Sequence, residues 1–271
     1  MGLILRSILD SLAASIFPAP CRVCDETLGD ARLLPICGPC LNSIGPLSGA
    51  CCDVCGRPFA SAAPLASPKA LCHLCRRGLY AFHRARSFAA YHETLRAAIG
   101  LLKYEGVTPL GGWFARRLFG VFMDDPDRLE PDIVVPVPLH PDRLRERGYN
   151  QAEIIAKPLA RRLGLPLASL LLVRTQPRPD KLLLSRRERW TTVRGAYATR
   201  QGARVDNRSV LLIDDVFTTG ATLDACARVL RAAGAAGVYG LTVARTIPDW
   251  TPDRAVPDRE GRETRTVPPA S

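Results

Sequence analysis

Long apolar runs are missing from this 271-residue chain. No stretch approaches the roughly 18 residues that a helix needs to cross a bilayer, so no transmembrane segment is expected. Aromatic residues are scarce at 6%, and the core must be built from Leu, Val, Ile and Ala. Acid is in deficit, with 26 Asp+Glu against 37 Lys+Arg and a formal net charge of +11. Internal repetition is confined to one short cysteine spacing, which excludes solenoids and propellers. At 47% hydrophobic and 23% charged, the chain is neither disordered nor fibrous, and its length suggests about two domains. Residues 1–17 are apolar but interrupted by Arg6 and Asp10, with Leu5, Ile8, Leu9, Leu12 and Ile16 at helical spacing. That pattern predicts a short amphipathic docking helix rather than an export signal, and with it a cytoplasmic location.

Cysteine is abundant instead. Nine of the 10 cysteines lie between Cys21 and Cys75. Eight form pairs two residues apart: Cys21 and Cys24, Cys37 and Cys40, Cys52 and Cys55, Cys72 and Cys75. Two residues between thiolates let one tight turn present both sulfurs to a single ion, and two such turns complete a tetrahedral site. The spacing therefore predicts two structural Zn²⁺ ions, each closed by four thiolates. Sequential pairing is the simplest arrangement; a crossed pairing has the same signature. Binding two Zn²⁺ with eight thiolates lowers the formal charge by four, to about +7. Cys51 breaks the spacing to Cys55, His73 reads as a spacer, and Cys226 reads as a small core residue on a helix.

Positive charge is concentrated. Between residues 140 and 204, fifteen Lys and Arg stand against five Asp and Glu, a local excess of ten. Such a block implies an anionic partner, either a phosphorylated small molecule or nucleic acid; the plain alternative is a solvated arginine-rich face. Downstream of the cysteines, apolar spacing predicts strands over 87–91, 133–137, 170–173, 210–213 and 238–243. Helices are predicted over 92–103, 110–122, 149–163 and 222–233. Strands alternating with helices mean a parallel, doubly wound α/β sheet. Residues 247–271 are rich in proline and charge and read as a disordered tail.

The most informative stretch runs from Val210 to Thr222. A buried strand ends in Asp214 and Asp215, followed by Val216, Phe217, Thr218, Thr219, Gly220, Ala221 and Thr222, which turn into a helix. Free amides at the turn and the helix dipole suit a phosphate, aided by the Thr hydroxyls. The two carboxylates repel that phosphate and suit sugar hydroxyls or a divalent ion beside it. Together they describe a ribose 5-phosphate site at the carboxyl end of a parallel strand. The plain alternative is an acidic strand end with a threonine helix cap.

This stretch resembles the phosphoribosyl-pyrophosphate (PRPP) motif of type I phosphoribosyltransferases. The segment from Pro136 through His140, Arg143, Arg145, Arg147, Tyr149 and Asn150 to Gln151 is similar to the signature of the ComF family of competence proteins. Phe17-Pro18 before Cys21, and Leu102-Lys103-Tyr104-Glu105-Gly106, also resemble that family. The resemblance implies a double zinc ribbon over 18–80, joined to a phosphoribosyltransferase-like parallel sheet over 81–246. Asp214 and Asp215 would then hold the ribose hydroxyls, with Mg²⁺, as the catalytic pair. Residues 218–222 would hold the 5′-phosphate. Arg143, Arg145 and Arg147 would meet a pyrophosphate or nucleic-acid phosphate, standing on one side of an extended loop. The segment 174–197 takes the place of the family's hood but departs from its pattern, with Lys181 where a Gln is usual and Thr192 where an Asn is usual. The resemblance also implies a role in natural transformation, with PRPP or another ribose 5-phosphate compound, single-stranded DNA and other DNA-uptake proteins as partners. Two functions stay open at this point: an enzyme displacing pyrophosphate from PRPP, or a module that senses PRPP and holds DNA. Arg245, after a strand end, reads either as reaching the acceptor or as a surface arginine.

Overall fold

The computed structural model describes residues 20–28, 34–59, 70–128, 130–176, 193 and 195–247. The N-terminal helix expected over 1–17, most of the hood and the tail beyond 247 lie outside them.

Two short helices belong to the cysteine pairs: α1 (Gly38–Asn42) and α2 (His73–Arg76). Then follow β1 (Arg84–Ala90), α3 (Glu93–Tyr104), α4 (Leu110–Met123), β2 (Ile133–Pro136), α5 (Pro141–Arg147) and α6 (Gln151–Leu163). After these come β3 (Leu172–Arg174), β4 (Tyr197–Thr199), β5 (Ser209–Phe217), α7 (Ala221–Ala232) and β6 (Gly237–Arg245). Four strands form one sheet in the order β1-β6-β5-β2, with every neighbouring pair parallel. All nine residues of β6 are buried, as expected of a central parallel strand covered on both faces.

The helices divide between the faces. Leu95, Ile99 and Leu102 of α3, Phe114 and Leu118 of α4, and Ile155 and Leu159 of α6 pack on the face carrying Leu211, Ile213 and Leu241. On the other face, Leu223, Cys226 and Leu230 of α7 pack against Val210, Leu212 and Val238. Alternation along β5 sends successive residues to opposite cores. The doubly wound α/β architecture follows.

The strand at 170–173 is displaced from its expected role: β3 pairs antiparallel with β4 in a separate two-stranded sheet. Three residues are too few to declare which sheet they join. Both edges of the main sheet are occupied. At β1, Leu47 N donates to Phe88 O at 2.7 Å and Ala85 N to Val54 O at 2.7 Å. Gly56, at φ 68°, allows that approach, because a Cβ there would stand 2.8 Å from Ala85 O. At β2, Val134 N donates to Pro166 O and Ala168 N to Val134 O, each at 2.9 Å.

Candidate functional site

The cysteines assemble as two groups, Cys21, Cys24, Cys37, Cys40 and Cys52, Cys55, Cys72, Cys75, with sulfurs all within 4.8 Å of one another. The pairing is therefore sequential. Cys51 and His73 belong to neither group, and Cys226 is a buried core residue of α7. The Cys24 and Cys37 sulfurs are 3.7 Å apart, as are those of Cys55 and Cys72. A tetrahedron with metal–sulfur bonds of about 2.3 Å has an edge of about 3.8 Å, so the spacing fits zinc without adjustment.

Backbone amides already treat these sulfurs as anions. Cys37 N donates to Cys21 Sγ at 3.3 Å, Cys40 N to Cys37 Sγ at 3.4 Å, and Cys72 N to Cys52 Sγ at 3.3 Å. Burial pushes the Cys21 thiol up, but the amides of Cys37, Cys24 and Val23 outweigh it and bring the thiol to about 6. Hydrogen bonds from Cys55 and Cys75 hold Cys52 far below the usual thiol range, while the same contacts drive Cys75 far above it. The first cluster favours the Cys21 thiolate over those of Cys24 and Cys40, and the second favours Cys52 over Cys55 and Cys75, a conflict that a divalent cation resolves. Two Cys₄ zinc sites fit the chain.

The acidic pair lies one step earlier than expected. Strand β5 continues to Phe217, so Asp214 and Asp215 stand within its pairing with β6 rather than beyond it. Both are buried, at 8% and 5% exposure. Their sides alternate, and Asp215 faces α3, where Lys103 Nζ lies 2.6 Å from its Oδ2. Lys103 is the site residue that sequence reasoning missed as a contact. The signal was present: Leu95, Ile99 and Lys103 are spaced by four on one helix, so the lysine continues a buried stripe.

Beyond Phe217 the chain turns through Thr218, Thr219 and Gly220 into α7. Gly220 has φ 80° and is the N-cap; no side chain caps the helix, although Thr219 Oγ1 accepts from Ala221 N at 3.3 Å. A Cβ at Gly220 would meet the Phe217 ring at 2.6 Å and the Tyr80 ring at 2.7 Å. Glycine is thus required twice, by conformation and by contact. Tyr80 also donates its hydroxyl to Thr219 O at 3.0 Å, and Asp224 Oδ1 of α7 accepts from Ala81 N at 2.7 Å.

The arginines behave differently from the expected extended loop. Residues 141–147 are helix α5, with Pro141 at its start, His140 Nδ1 accepting from Asp142 N at 3.3 Å, and Gly148 closing it at φ 80°. In a helix a spacing of two separates side chains by about 200°, so Arg143 and Arg147 share a side and Arg145 leaves it. Arg143 pairs with Glu146 at 2.7 Å, Arg145 pairs with Asp142, and Arg147 bonds to Gln151 while lying 5.3 Å from the centre of the exposed Tyr104 ring. The segment is tied to the acidic pair from below. Val137 N donates to Ile213 O at 2.9 Å, Asn150 Nδ2 donates to Val137 O at 3.0 Å, and the Tyr149 hydroxyl bonds to Leu102 O beside Lys103.

Arg245 is not on the surface; it turns into the second cysteine cluster. At 4% exposure, it donates to Cys55 O at 2.6 Å, lies 3.6 Å from Cys55 Sγ, and stacks 4.0 Å from the Phe217 ring centre.

Two family profiles match the chain. Residues 12–76 match the double zinc ribbon domain and residues 150–260 the phosphoribosyl transferase domain. The chain is 27% identical over 221 residues to competence protein ComFC of Bacillus subtilis, covering 78% of this chain and 84% of that one. It is 28% identical over 233 residues to the DNA utilization protein YhgH of Salmonella typhimurium, covering 85% and 98% respectively. With competence protein F of Haemophilus influenzae it shares 30% identity over 148 residues, covering 53% of this chain and 65%, just under two thirds, of that one.

Proposed function

We propose that this chain, which matches a double zinc ribbon and a phosphoribosyl transferase domain and is similar to competence protein ComFC, is a ComF-family protein that binds PRPP or another ribose 5-phosphate compound and serves DNA uptake in competent cells. The observation that carries the proposal is the arrangement at the end of β5. Two buried carboxylates precede a glycine turn that opens an uncapped helix, with Lys103 against one of them.

In this reading the turn 218–222 takes the 5′-phosphate, with its amides and the dipole of α7 as donors. Asp214 and Asp215 accept from the ribose hydroxyls, oriented by β6 and by the Lys103 ammonium. Lys103 balances one carboxylate in the free protein; with PRPP bound, Asp214 and Asp215 would be the residues to hold Mg²⁺, which would supply positive charge to the pyrophosphate. Arg143 and Arg147, on one side of α5, turn to pyrophosphate or single-stranded DNA phosphates: Arg143 leaves an exposed ion pair with Glu146, at small cost, and Arg147 leaves its bond to the buried Gln151. We place the protein in the cytoplasm, where reduced thiols are available to zinc. Among the described residues, no helix is long and apolar enough to cross a membrane.

Calorimetry with PRPP and Mg²⁺ tests the site. Each of Asp214→Asn and Asp215→Asn should weaken binding by roughly 1.5–3 kcal/mol, the range for a charge-assisted hydrogen bond. Unchanged affinity in the double variant overturns the assignment. For DNA, a gel-shift salt titration should give a slope of about −0.7 per contacted phosphate. Replacing Arg143, Arg145 and Arg147 by Ala should flatten it. No DNA binding at low salt removes the uptake role of this segment. Pyrophosphate release from labelled PRPP across a panel of bases separates an enzyme from a sensor.

A further inference from the structure

The second thiolate cluster and the phosphate turn are neighbours that no motif connects. Cys52, Cys55 and Cys72 pack in the same core as Phe82, Phe217 and Leu223. From this cluster two paths reach the turn. Along one, the Arg245 guanidinium holds the carbonyl of Cys55, lies beside its sulfur and covers the Phe217 ring. The next residue, Thr246, donates its amide to Phe217 O at 3.0 Å and its hydroxyl to Thr218 O at 3.3 Å. Along the other, Tyr80, five residues beyond Cys75, stacks on Phe82 with ring centres 4.6 Å apart. Its hydroxyl donates to Thr219 O, and its ring edge closes the space beside Gly220. The turn is thus gripped at Phe217, Thr218, Thr219 and Gly220 by groups anchored at the two loops of one cysteine cluster.

We propose that the Cys52–Cys55–Cys72–Cys75 site positions the phosphate turn. Tyr80 and Arg245 act as positioning residues that transmit metal occupancy to the 5′-phosphate pocket. The physical basis is pre-organisation. Amides that must converge on a phosphate bind it best when their carbonyl neighbours are already fixed. The coupling is reciprocal, so a ligand on the turn must also alter the thiolate site. A zinc ribbon acting only as a fold staple would need neither the hydroxyl of Tyr80 nor the buried cation at Cys55.

The proposal rests on the reading of residues 218–222 as a phosphate site, and the test separates the two. Full-length zinc-loaded protein is compared with Tyr80→Phe and Arg245→Lys, after elemental analysis shows two zinc ions per chain in each. Amide exchange of the turn is measured without ligand, and ribose 5-phosphate affinity by calorimetry. Tyr80→Phe removes one hydrogen bond, so turn exchange should rise and affinity fall by roughly fivefold. In cobalt-substituted protein, ribose 5-phosphate should shift the thiolate-to-cobalt absorption band, and Arg245→Lys should abolish the shift. Exchange that rises in Tyr80→Phe while wild type binds no ribose 5-phosphate supports the linkage and removes the phosphate reading. Ribose 5-phosphate binding that is equal in all three proteins, with unchanged turn exchange and no cobalt shift, overturns the linkage and leaves the phosphate reading standing.

Discussion

The cluster of Cys21, Cys24, Cys37 and Cys40 belongs to the face of the sheet that carries α3, α4 and α6: Cys21, Ile36 and Ile44 share a core with them, and Cys24 is exposed. Its link to α3 is a surface pair, Arg22 and Glu105 at 2.6 Å. The cluster of Cys52, Cys55, Cys72 and Cys75 belongs to the opposite face, has three buried sulfurs, and is tied by Arg245 and Tyr80 to the phosphate turn. One ligand spacing therefore serves two neighbourhoods. Zinc coordination is local chemistry set by sequence, while the consequence of losing the metal is set by what packs against it.

Removing a ligand from each site gives the largest test. Cys72→Ser should release one zinc, destabilise the protein by on the order of several kcal/mol, and abolish measurable ribose 5-phosphate binding. Cys24→Ser should also release one zinc but leave that affinity within about twofold, because no described contact joins its cluster to the turn. Equal losses of affinity, measured by calorimetry alongside zinc content, would erase the distinction.

A smaller effect is expected at the support of the second cluster. Asp125 Oδ2 is 2.8 Å from Arg84 Nε and 3.1 Å from Arg86 Nε, and Arg86 Nη1 donates to Asp53 O, between two zinc ligands, at 3.1 Å. Burial pushes the Asp125 carboxyl up, but Arg84, the Tyr239 hydroxyl and Arg86 outweigh it and hold the group below its usual range. A depressed carboxylate stabilises the fold above its ordinary value near 4, and that stabilisation is lost as pH falls through the folded-state value. Asp125→Asn should cost about 2 kcal/mol near neutrality, since it removes the one charge shared by two largely buried guanidinium groups, leaving Arg84 with the exposed Asp127 and Arg86 with backbone carbonyls. It should also flatten the acid limb of a urea-unfolding series. An unaltered acid limb would assign that limb to other carboxylates.

The smallest effect concerns the link of the first cluster. Arg22 and Glu105 are about half exposed, at 52% and 46%. Glu105→Gln should change stability by no more than about 0.5 kcal/mol, with the difference vanishing in high salt. Chemical denaturation at two salt concentrations reads this directly.

What sequence could and could not reveal follows the range of the interactions. The thiolate quartets, the strand ending near Asp214 and the glycine turn are local, because a few adjacent residues dictate each. Their positions matched to within a few residues. Helix α5 was also locally encoded: Pro141 at its start, Asp142 in its first turn and Gly148 after its end are ordinary helix punctuation. In that helix Arg143, Arg145 and Arg147 cannot share one side, as an extended loop would allow. Lys103, Tyr80 and Arg245 were harder. They meet Asp215, Thr219 and Cys55 across 112, 139 and 190 positions of chain respectively, and only the folded sheet brings such distant residues together. A buried cation after an apolar strand, as at Arg245, is the kind of conflict that indicates a hidden partner.

The covering of β1 has a consequence for the making of the protein. Leu47 and Val54, each following or lying within a cysteine loop, occupy hydrogen-bonding groups on the outer side of that strand. A chain folded without metal leaves this edge bare, a parallel-sheet border able to recruit the same border of another copy. Stripping zinc from the protein should therefore raise its tendency to self-associate through that strand, which light scattering of metal-free and zinc-loaded protein at equal concentration reads.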